Sequence, residues 1–461
     1  MHTQGIVGTA VVLLAALGLS GCAPAESNGE NETLTVWTVE DVAERVDAQQ
    51  AIVDAYTAAT GIPVELVPIA EGDLATVLAS SAAANDLPDV VGAASLPAIN
   101  QMASDGVLDT AAAASVVDAL GADTFSPRSL ELTQADGEQL AVPSDGWAQL
   151  LFYRTDLFEA AGLAAPTTYE SILEAAQTLN SGDVAGIVAS TTPADAFTQQ
   201  TFEHFALANG CELVNDDGDI VLDSPECEGA LEFYADLITS ASTAGNQDAD
   251  TTRATYFAGQ AAMVVWSSFL LDELAGLRND ALPTCTECAA DPGFLAANTG
   301  IVSGIEGPDG SEPASFGEIV SWGILSGASS ETPGFVEFMM NEGYVDWLSV
   351  APEGKVPTRA GTAENPTEFI DGWTSLEAGV DTKAPLSEVF APEILEAVAA
   401  APDSFDRWGI PQGQGALAGA VSGQFVLPQI ISEMINNGLS ASDAAARAAE
   451  LTAQVKSDLG L

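Results

Sequence analysis

Covalent chemistry has few places to happen in this chain. Of its two histidines, His2 stands at the extreme N-terminus and His204 stands alone, so a His-Glu-x-x-His zinc helix is impossible. No Gly-x-Ser-x-Gly elbow occurs either, which removes the usual setting of a nucleophilic serine. Gly354-Lys355-Val356 lacks the Ser or Thr of a phosphate loop, and Gly413-x-Gly415-x-x-Ala418 follows Pro411 rather than a strand. Cys285-Thr286-Glu287-Cys288 has the spacing of a redox or metal motif. No second such pair exists for zinc, however, and no strand-to-helix context supports a thioredoxin-like site, so a structural staple is the better reading. Asn215 to Asp219 lacks the twelve-residue calcium spacing and reads as a turn. No metal and no cofactor is therefore expected. What remains is non-covalent recognition, with a two-carboxylate glycosidase drawn from the 67 acids as the enzymatic alternative.

The charge balance narrows what is recognised. Eleven Lys and Arg against 67 Asp and Glu give a net charge of -56, and the only lysines are Lys355, Lys383 and Lys456. Nucleic acids and anionic lipid surfaces need rows of basic side chains, so neither is a partner, and any membrane attachment must be covalent. With 47% hydrophobic residues the chain still has the material for a packed interior. An acidic skin almost without lysine suits a high-salt setting, and equally an acidic exported protein from an ordinary one. At 461 residues, one core is too few and two or three domains are expected.

The elements that must position a site alternate strand and helix. Thr33 to Trp37 has period two and predicts a strand, Val42 to Thr60 an amphipathic helix closed by Gly61, and Val64 to Val67 a second strand. Leu74 to Ala84 predicts a helix, Asp89 to Val91 a short buried strand, and Leu96 to Asp105 another helix. Such a repeat builds a parallel sheet, and in parallel sheets ligands sit beyond the carboxyl ends of the strands. That rule selects Trp37 to Glu40, Glu71 to Asp73, and Ala94-Ser95. A second unit starts near Pro143 with a strand at Gln149 to Tyr153, a helix at Leu157 to Ala161, and a further helix opened by capping-box spacing between Thr167 and Glu170. Ser240 to Thr252 reads as a loop, Gly304 to Pro313 as surface, and Phe335 to Leu348 as helix, with Trp347 in its apolar stripe and Trp322 inside an apolar strand.

Two features address the compartment. Ile6 to Leu19 is an apolar run too short to span a bilayer but suited to a signal-peptide core, although the preceding residues lack Lys and Arg. It ends in Leu19-Ser20-Gly21-Cys22, which resembles a bacterial lipobox and implies cleavage before Cys22 and a diacylglyceryl anchor on its thiol. The remaining cysteines, Cys211, Cys227, Cys285 and Cys288, form an even set suited to an oxidising compartment. Of three connectivities we favour Cys211–Cys227 and Cys285–Cys288, because Leu213 to Leu222 reads as a hairpin about an Asp217-Gly218 turn that brings the first pair together.

Four landmarks carry a family resemblance. They are Ala55 to Val64 with Asn85 to Val90; Asp136 to Pro143 leading through Leu151 to Phe158 to Ala161-Gly162-Leu163 and Pro166 to Tyr169; Tyr256 to Met263; and Trp322 to Leu325 with Pro352 to Arg359. Together they resemble the extracellular solute-binding proteins of carbohydrate ABC importers, the group that includes maltose-binding protein. Arg154 where Asn is usual, and the Cys285–Cys288 insertion, depart from the pattern. The resemblance implies an α/β, two-lobed periplasmic-binding-protein-like (type II) fold with a hinge and an interlobe ligand cleft. By analogy residues 1–21 are a lipoprotein signal peptide and 22–32 a lipidated tether. Lobe one would comprise 33–143 and 296–350, and lobe two 144–290 and 351–461, with crossings near Asp145 and Val350. The implied protein is a non-enzymatic monomer on the outer face of the cytoplasmic membrane. Its partners are a carbohydrate ligand and the permease subunits; a sensor or adhesion role, or a peptide or polyamine ligand, is the alternative on the same fold.

A sugar site needs aromatic platforms for the C–H face of a pyranose and polar side chains for its hydroxyls. The candidate platforms are Trp37, Trp147, Trp266, Trp373 and Trp408. Trp266 follows Met263 to Val265, where the resemblance places a cleft aromatic. Candidate polar partners are Glu40, Glu71, Ser95, Asp145, Ser267 and Arg407.

Overall fold

The computed structural model describes residues 33–461. The expected signal peptide, the Cys22 lipobox and the tether lie outside these residues.

Along the first unit run β1 (Leu34–Thr38), α1 (Ala43–Thr60), β2 (Val64–Pro68), α2 (Leu74–Ala84), β3 (Val90–Ser95), α3 (Leu96–Ser104) and α4 (Thr110–Leu120). Gly61 ends α1 in the left-handed region at φ 76°, as a residue without Cβ allows, and its N–H bonds back to the Thr57 carbonyl. The chain then enters β4 (Val142–Arg154), a single 13-residue strand. It continues through α5 (Thr155–Ala161), α6 (Tyr169–Leu179), α7 (Ala196–Ala208), α8 (Pro225–Ala241), α9 (Ala249–Phe257), β5 (Met263–Ser267) and α10 (Leu270–Leu274). After β6 (Thr299–Val302) and β7 (Ser315–Ile324) come α11 (Thr332–Met339), α12 (Tyr344–Leu348), β8 (Val356–Pro357) and α13 (Glu368–Thr374). The last part holds β9 (Phe405–Asp406), α14 (Gly415–Gly423), α15 (Val426–Asn437) and α16 (Ala441–Leu459).

The main sheet runs β8-β4-β7-β3-β1-β2. β1 is parallel to β2 and β3, as the strand-helix repeat requires, with Val36 opposite both Leu66 and Val90. β7 then runs antiparallel to both β3 and β4. β4 serves two sets of partners. Its first half, Val142 to Ala148, pairs with β7, while Gln149 to Arg154 pairs with β5 and β6. At Asp145 three segments lie side by side, because Asp145 faces Val320 on one side and Pro357 on the other.

Two large apolar interiors flank this crossing. One gathers Val36, Val53, Val90, Trp322, Phe335 and Trp347 and continues through Leu271 to Trp373 and Val398. The other gathers Leu151, Phe158, Phe205, Tyr234, Leu427 and Val455. Two of the expected blocks contribute strands to this crossing. Thr299–Val302, placed in lobe one, pairs with the second half of β4 beside β5, and Val356–Pro357, placed in lobe two, pairs with its first half. A crossover strand that changes partners midway leaves no compositional mark in the sequence.

Local expectations fare differently. Both disulfides form as expected, Cys211 with Cys227 and Cys285 with Cys288. The hairpin between the first pair reduces to one bridge, Val214 to Ile220, and Cys227 sits in the first turn of α8. The cap of α6 is Thr168, whose hydroxyl accepts the Ser171 N–H, rather than the Thr167 and Glu170 pair. The expected loop at Ser240 to Thr252 shrinks because α8 reaches Ala241 and α9 starts at Ala249, capped by Asp248. The expected helix at Phe335 to Leu348 breaks into α11 and α12, with Gly343 against the Ile52 and Phe338 side chains at the break.

Candidate ligand-binding cleft

The carboxyl ends of β1, β2 and β3 converge on the β4 crossing and leave a cavity of about 500 Å³. Glu40 reaches it from the turn after β1, Glu71 from the turn after β2, and Ser95 from the last position of β3. A bulge between Val91 and Ala94, with Ala93 at φ 58°, breaks the regular alternation of β3 just before Ser95. Asp145 and Trp147 line the cavity from β4, and Glu318, the cross-strand neighbour of Trp147, from β7. Phe269 closes one side against Gly354, where a Cβ would lie 2.0 Å from the Phe269 ring and force it away.

The cations in this cavity are already paired. The Lys355 ammonium lies 2.7 Å from Glu40 Oε1 and 3.3 Å from Asp145 Oδ2, and Arg45 holds the other Glu40 oxygen at 2.8 Å. Burial alone would raise the Glu40 pKa, but Lys355 and Arg45 overrule it and hold the carboxyl at about 2. Lys355 is itself buried, which works against its charge, yet Asp145 and Glu40 keep its pKa above the ordinary lysine value. Burial pushes Asp145 up in spite of Lys355. Trp347, fully buried as expected, donates its indole N–H to Asp145 at 2.6 Å and lies under Lys355, whose Nζ is 4.1 Å from the ring centroid. A core tryptophan thus supports two cleft side chains from behind.

A second buried network adjoins the first. Arg407 pairs with Glu318 and lies over the Phe316 ring at 4.4 Å, and its Nε is 3.7 Å from Glu203. The other Glu318 oxygen accepts the Leu96 N–H at the start of α3 at 2.8 Å, and Glu203 accepts the Trp408 N–H at 2.9 Å. Arg407 and Trp408 line a neighbouring cavity of about 260 Å³ that shares Pro97 and Gln200 with the cleft. His204 sits near this network without titrating in the working range, since burial lowers its pKa to about 3 and its Nδ1 accepts the Phe316 N–H. Altogether eight of the eleven basic side chains are held in ion pairs: Arg45, Arg128, Arg154, Arg253, Arg278, Lys355, Arg407 and Arg447.

The structure therefore brings together Glu40, Glu71, Ser95, Asp145 and Trp147 and sets Arg407 and Trp408 next to them. It separates the others. Trp373 is fully buried and donates its N–H to the Pro352 carbonyl; Trp37 is 8% exposed and packs with Leu74, Leu78 and Ile99. Trp266 donates to the Ala249 carbonyl beside Phe197 and Arg253, and Ser267 is buried on β5 opposite Gln149, so neither lines the cleft. An indole among mixed apolar and polar neighbours suits a core and a cleft equally well, and only the tertiary packing separates the two. Lys355, Glu318, Arg45, Phe269 and Gln200 were not among the expected site residues. Lys355 carried a usable signal: it is one of three lysines and directly follows Gly354 in a Pro- and Gly-containing turn.

Comparison with known proteins agrees with this geometry. Residues 43–275 match the bacterial extracellular solute-binding protein family. YcjN of Escherichia coli (strain K12), named as a candidate ABC transporter periplasmic-binding protein, is 26% identical over 440 residues, covering 90% of this chain and 94% of its own. A cyclic α-maltosyl-1,6-maltose binding protein from Arthrobacter globiformis superposes with a TM-score of 0.68 at 22% identity, covering 92% of this chain and 99% of that one. The GacH receptor of Streptomyces glaucescens, whose structures include an acarbose complex, superposes with a TM-score of 0.63 at 17% identity over 93% and 99% of the two chains. These likenesses give the two-lobed α/β fold, and the family is one of binding proteins that act outside the cytoplasm and catalyse no reaction. The chain belongs to the bacterial extracellular solute-binding protein family.

Proposed function

We propose that the cleft captures an uncharged carbohydrate outside the cell and that the protein, anchored through a lipid on Cys22, delivers it to the permease of an ABC importer. The observation that carries this reading is Trp147 set among Asp145, Glu40, Glu71 and Glu318 in a cavity of about 500 Å³ beyond the strand ends. An indole face suits the C–H surface of a pyranose, and carboxylates accept pairs of hydroxyl hydrogens. Because Lys355, Arg45 and Arg407 are already paired with Glu40, Asp145 and Glu318, the site offers an anionic ligand no unpaired cation among the described residues. The saccharide ligands named for the similar structures support the same class.

Closure would bend the three strands that meet at Asp145, and binding would favour the closed state by the difference in affinity between closed and open forms. The test is thermal unfolding against mono- and oligosaccharides, with polyamines and short peptides as controls. Ligand at about a hundred times its Kd adds roughly 2.7 kcal/mol, on the order of 5–10 °C for lobes of this size. A saccharide-specific rise without product supports the reading. A response to polyamines or peptides alone, or conversion of the sugar, sinks it. The anchor is tested separately, since Cys22→Ser should move the protein from the membrane fraction to the medium.

A further inference from the structure

The cleft does not end at Glu71. Between α2 and α3 it continues into a groove of about 410 Å³ that shares Val39, Glu71 and Ser95 with the polar cavity. Its floor is Leu74, Leu78 and Met102, all buried, and its wall on the α2 side is alanine, with Ala75 and Ala79 four residues apart and each next to a floor leucine. Methyl groups at those positions leave open the space that larger apolar side chains would fill, so a continuous apolar surface faces the end of the polar site. Polar side chains appear only at the two ends, Glu71 and Ser95 at the junction and Gln101 and Asp105 at the far mouth.

We propose that the ligand of this protein is a neutral glycoside carrying an apolar alkyl or aryl group, with the sugar in the cleft beside Trp147 and the apolar group in the groove between α2 and α3. The proposal rests on the carbohydrate reading and specifies it. Continuity of the two cavities makes one ligand the economical occupant, because a cavity with a polar and an apolar half matches a molecule with the same division. Charge selects among such molecules. Glu71 guards the junction, where burial first and then the nearby Glu318, Glu40 and Asp41 carboxylates oppose its ionisation; a carboxylate or phosphate on the ligand would meet the same burial and the same acidic neighbours, so a fatty acid is disfavoured.

The test uses the full chain carrying Cys22→Ser, which leaves no acyl chain to enter the groove. Glucose and maltose, and their methyl, butyl and hexyl β-glycosides, are titrated by calorimetry. The neutral apolar dye N-phenyl-1-naphthylamine is titrated by fluorescence. Each buried methylene should tighten binding about fourfold, so the hexyl compound should bind far more tightly than its methyl counterpart and displace the dye. Ala79→Trp, and independently Ala75→Phe, fill the groove from exposed helix positions. Both should remove the chain-length dependence and the dye signal, with the circular dichroism spectrum and the affinity for the unsubstituted sugar kept. Hexyl and methyl glycosides binding alike, or dye binding indifferent to both variants, overturn the groove and leave the carbohydrate reading standing. No response to any sugar or glycoside overturns both.

Discussion

Lys355→Met removes the charge at the centre of the cleft while keeping an unbranched side chain over Trp347. Lys355 is 3% exposed and Asp145 1%, so the variant leaves a carboxylate in the interior with hydrogen bonds from Ser144 and Trp347 but no opposite charge. Breaking a buried pair from one side costs about 3–5 kcal/mol, which at roughly 2–4 °C per kcal/mol for domains of 150–250 residues is about 6–20 °C in Tm. The pH dependence has a definite sign. Burial already raises Asp145, and Lys355 is the largest influence opposing that rise, so without it the folded pKa moves further above the unfolded one. A carboxyl shifted in that direction binds its proton more tightly in the folded state, and folding gains stability as pH falls through the folded pKa towards the unfolded value of about 4. The deficit should therefore be full at pH 8 and smaller at pH 5. Adding Asp145→Asn, which cannot ionise, should recover most of the loss. Scanning calorimetry of wild type, single and double variants at both pH values is the assay. A Lys355→Met protein melting within about 2 °C of wild type at pH 8, or an equal deficit at both pH values, refutes the reasoning.

Glu40→Gln removes a carboxyl held at about 2 against an ordinary value of 4.5. The stability it contributes is present above the unfolded pKa and lost as pH falls towards 2, so urea melts should show a deficit on the order of 3 kcal/mol at pH 7 that closes in strong acid. Trp147→Ala should abolish the saccharide-induced Tm rise and lower the ligand-free Tm less than loss of a fully buried indole does, since Trp147 is only partly buried against Phe316. Trp373→Ala should do the reverse, costing about 3–5 kcal/mol for an emptied core position with ligand affinity kept; matching behaviour of the two variants would contradict the placement of their indoles. Replacing Cys211 and Cys227 by alanine opens a 16-residue loop and should cost about 3 kcal/mol, against about 2 for the 3-residue separation of Cys285 and Cys288, as read by urea midpoints.

Much of the scaffold is legible locally. The helix at Leu74–Ala84 ends where its alanine run meets Asn85, and Glu40, Glu71 and Ser95 follow from the rule about strand ends, because in both cases the information lies within a few consecutive residues. The long-range partners are not legible. Asp145 meets Lys355 across 210 positions, Trp147 faces Glu318 across the sheet, and Trp347 reaches Asp145 from a helix whose periodicity marks it only as apolar. The tryptophans divide for the same reason. Trp147 and Trp373 have equally mixed neighbours in sequence, and it is the pairing of β4 with β7 that turns one of them into the cavity.

The inward use of the basic side chains also bears on survival outside the cell. A protease of the trypsin type must seat a Lys or Arg in its specificity pocket, and this chain offers 11 across 461 residues. Eight are paired with carboxylates, Arg359 is buried against backbone carbonyls, and Lys456 caps the Gly218 carbonyl, while Lys383 is exposed in a loop without an ion pair among the described residues. Cleavage at the buried Lys355, Arg154 and Arg359, and at the largely buried Arg407, must wait for local unfolding. An enzyme that reads glutamate would find targets over the whole surface, so the molecule's lifetime depends on which digestive enzymes share its surroundings.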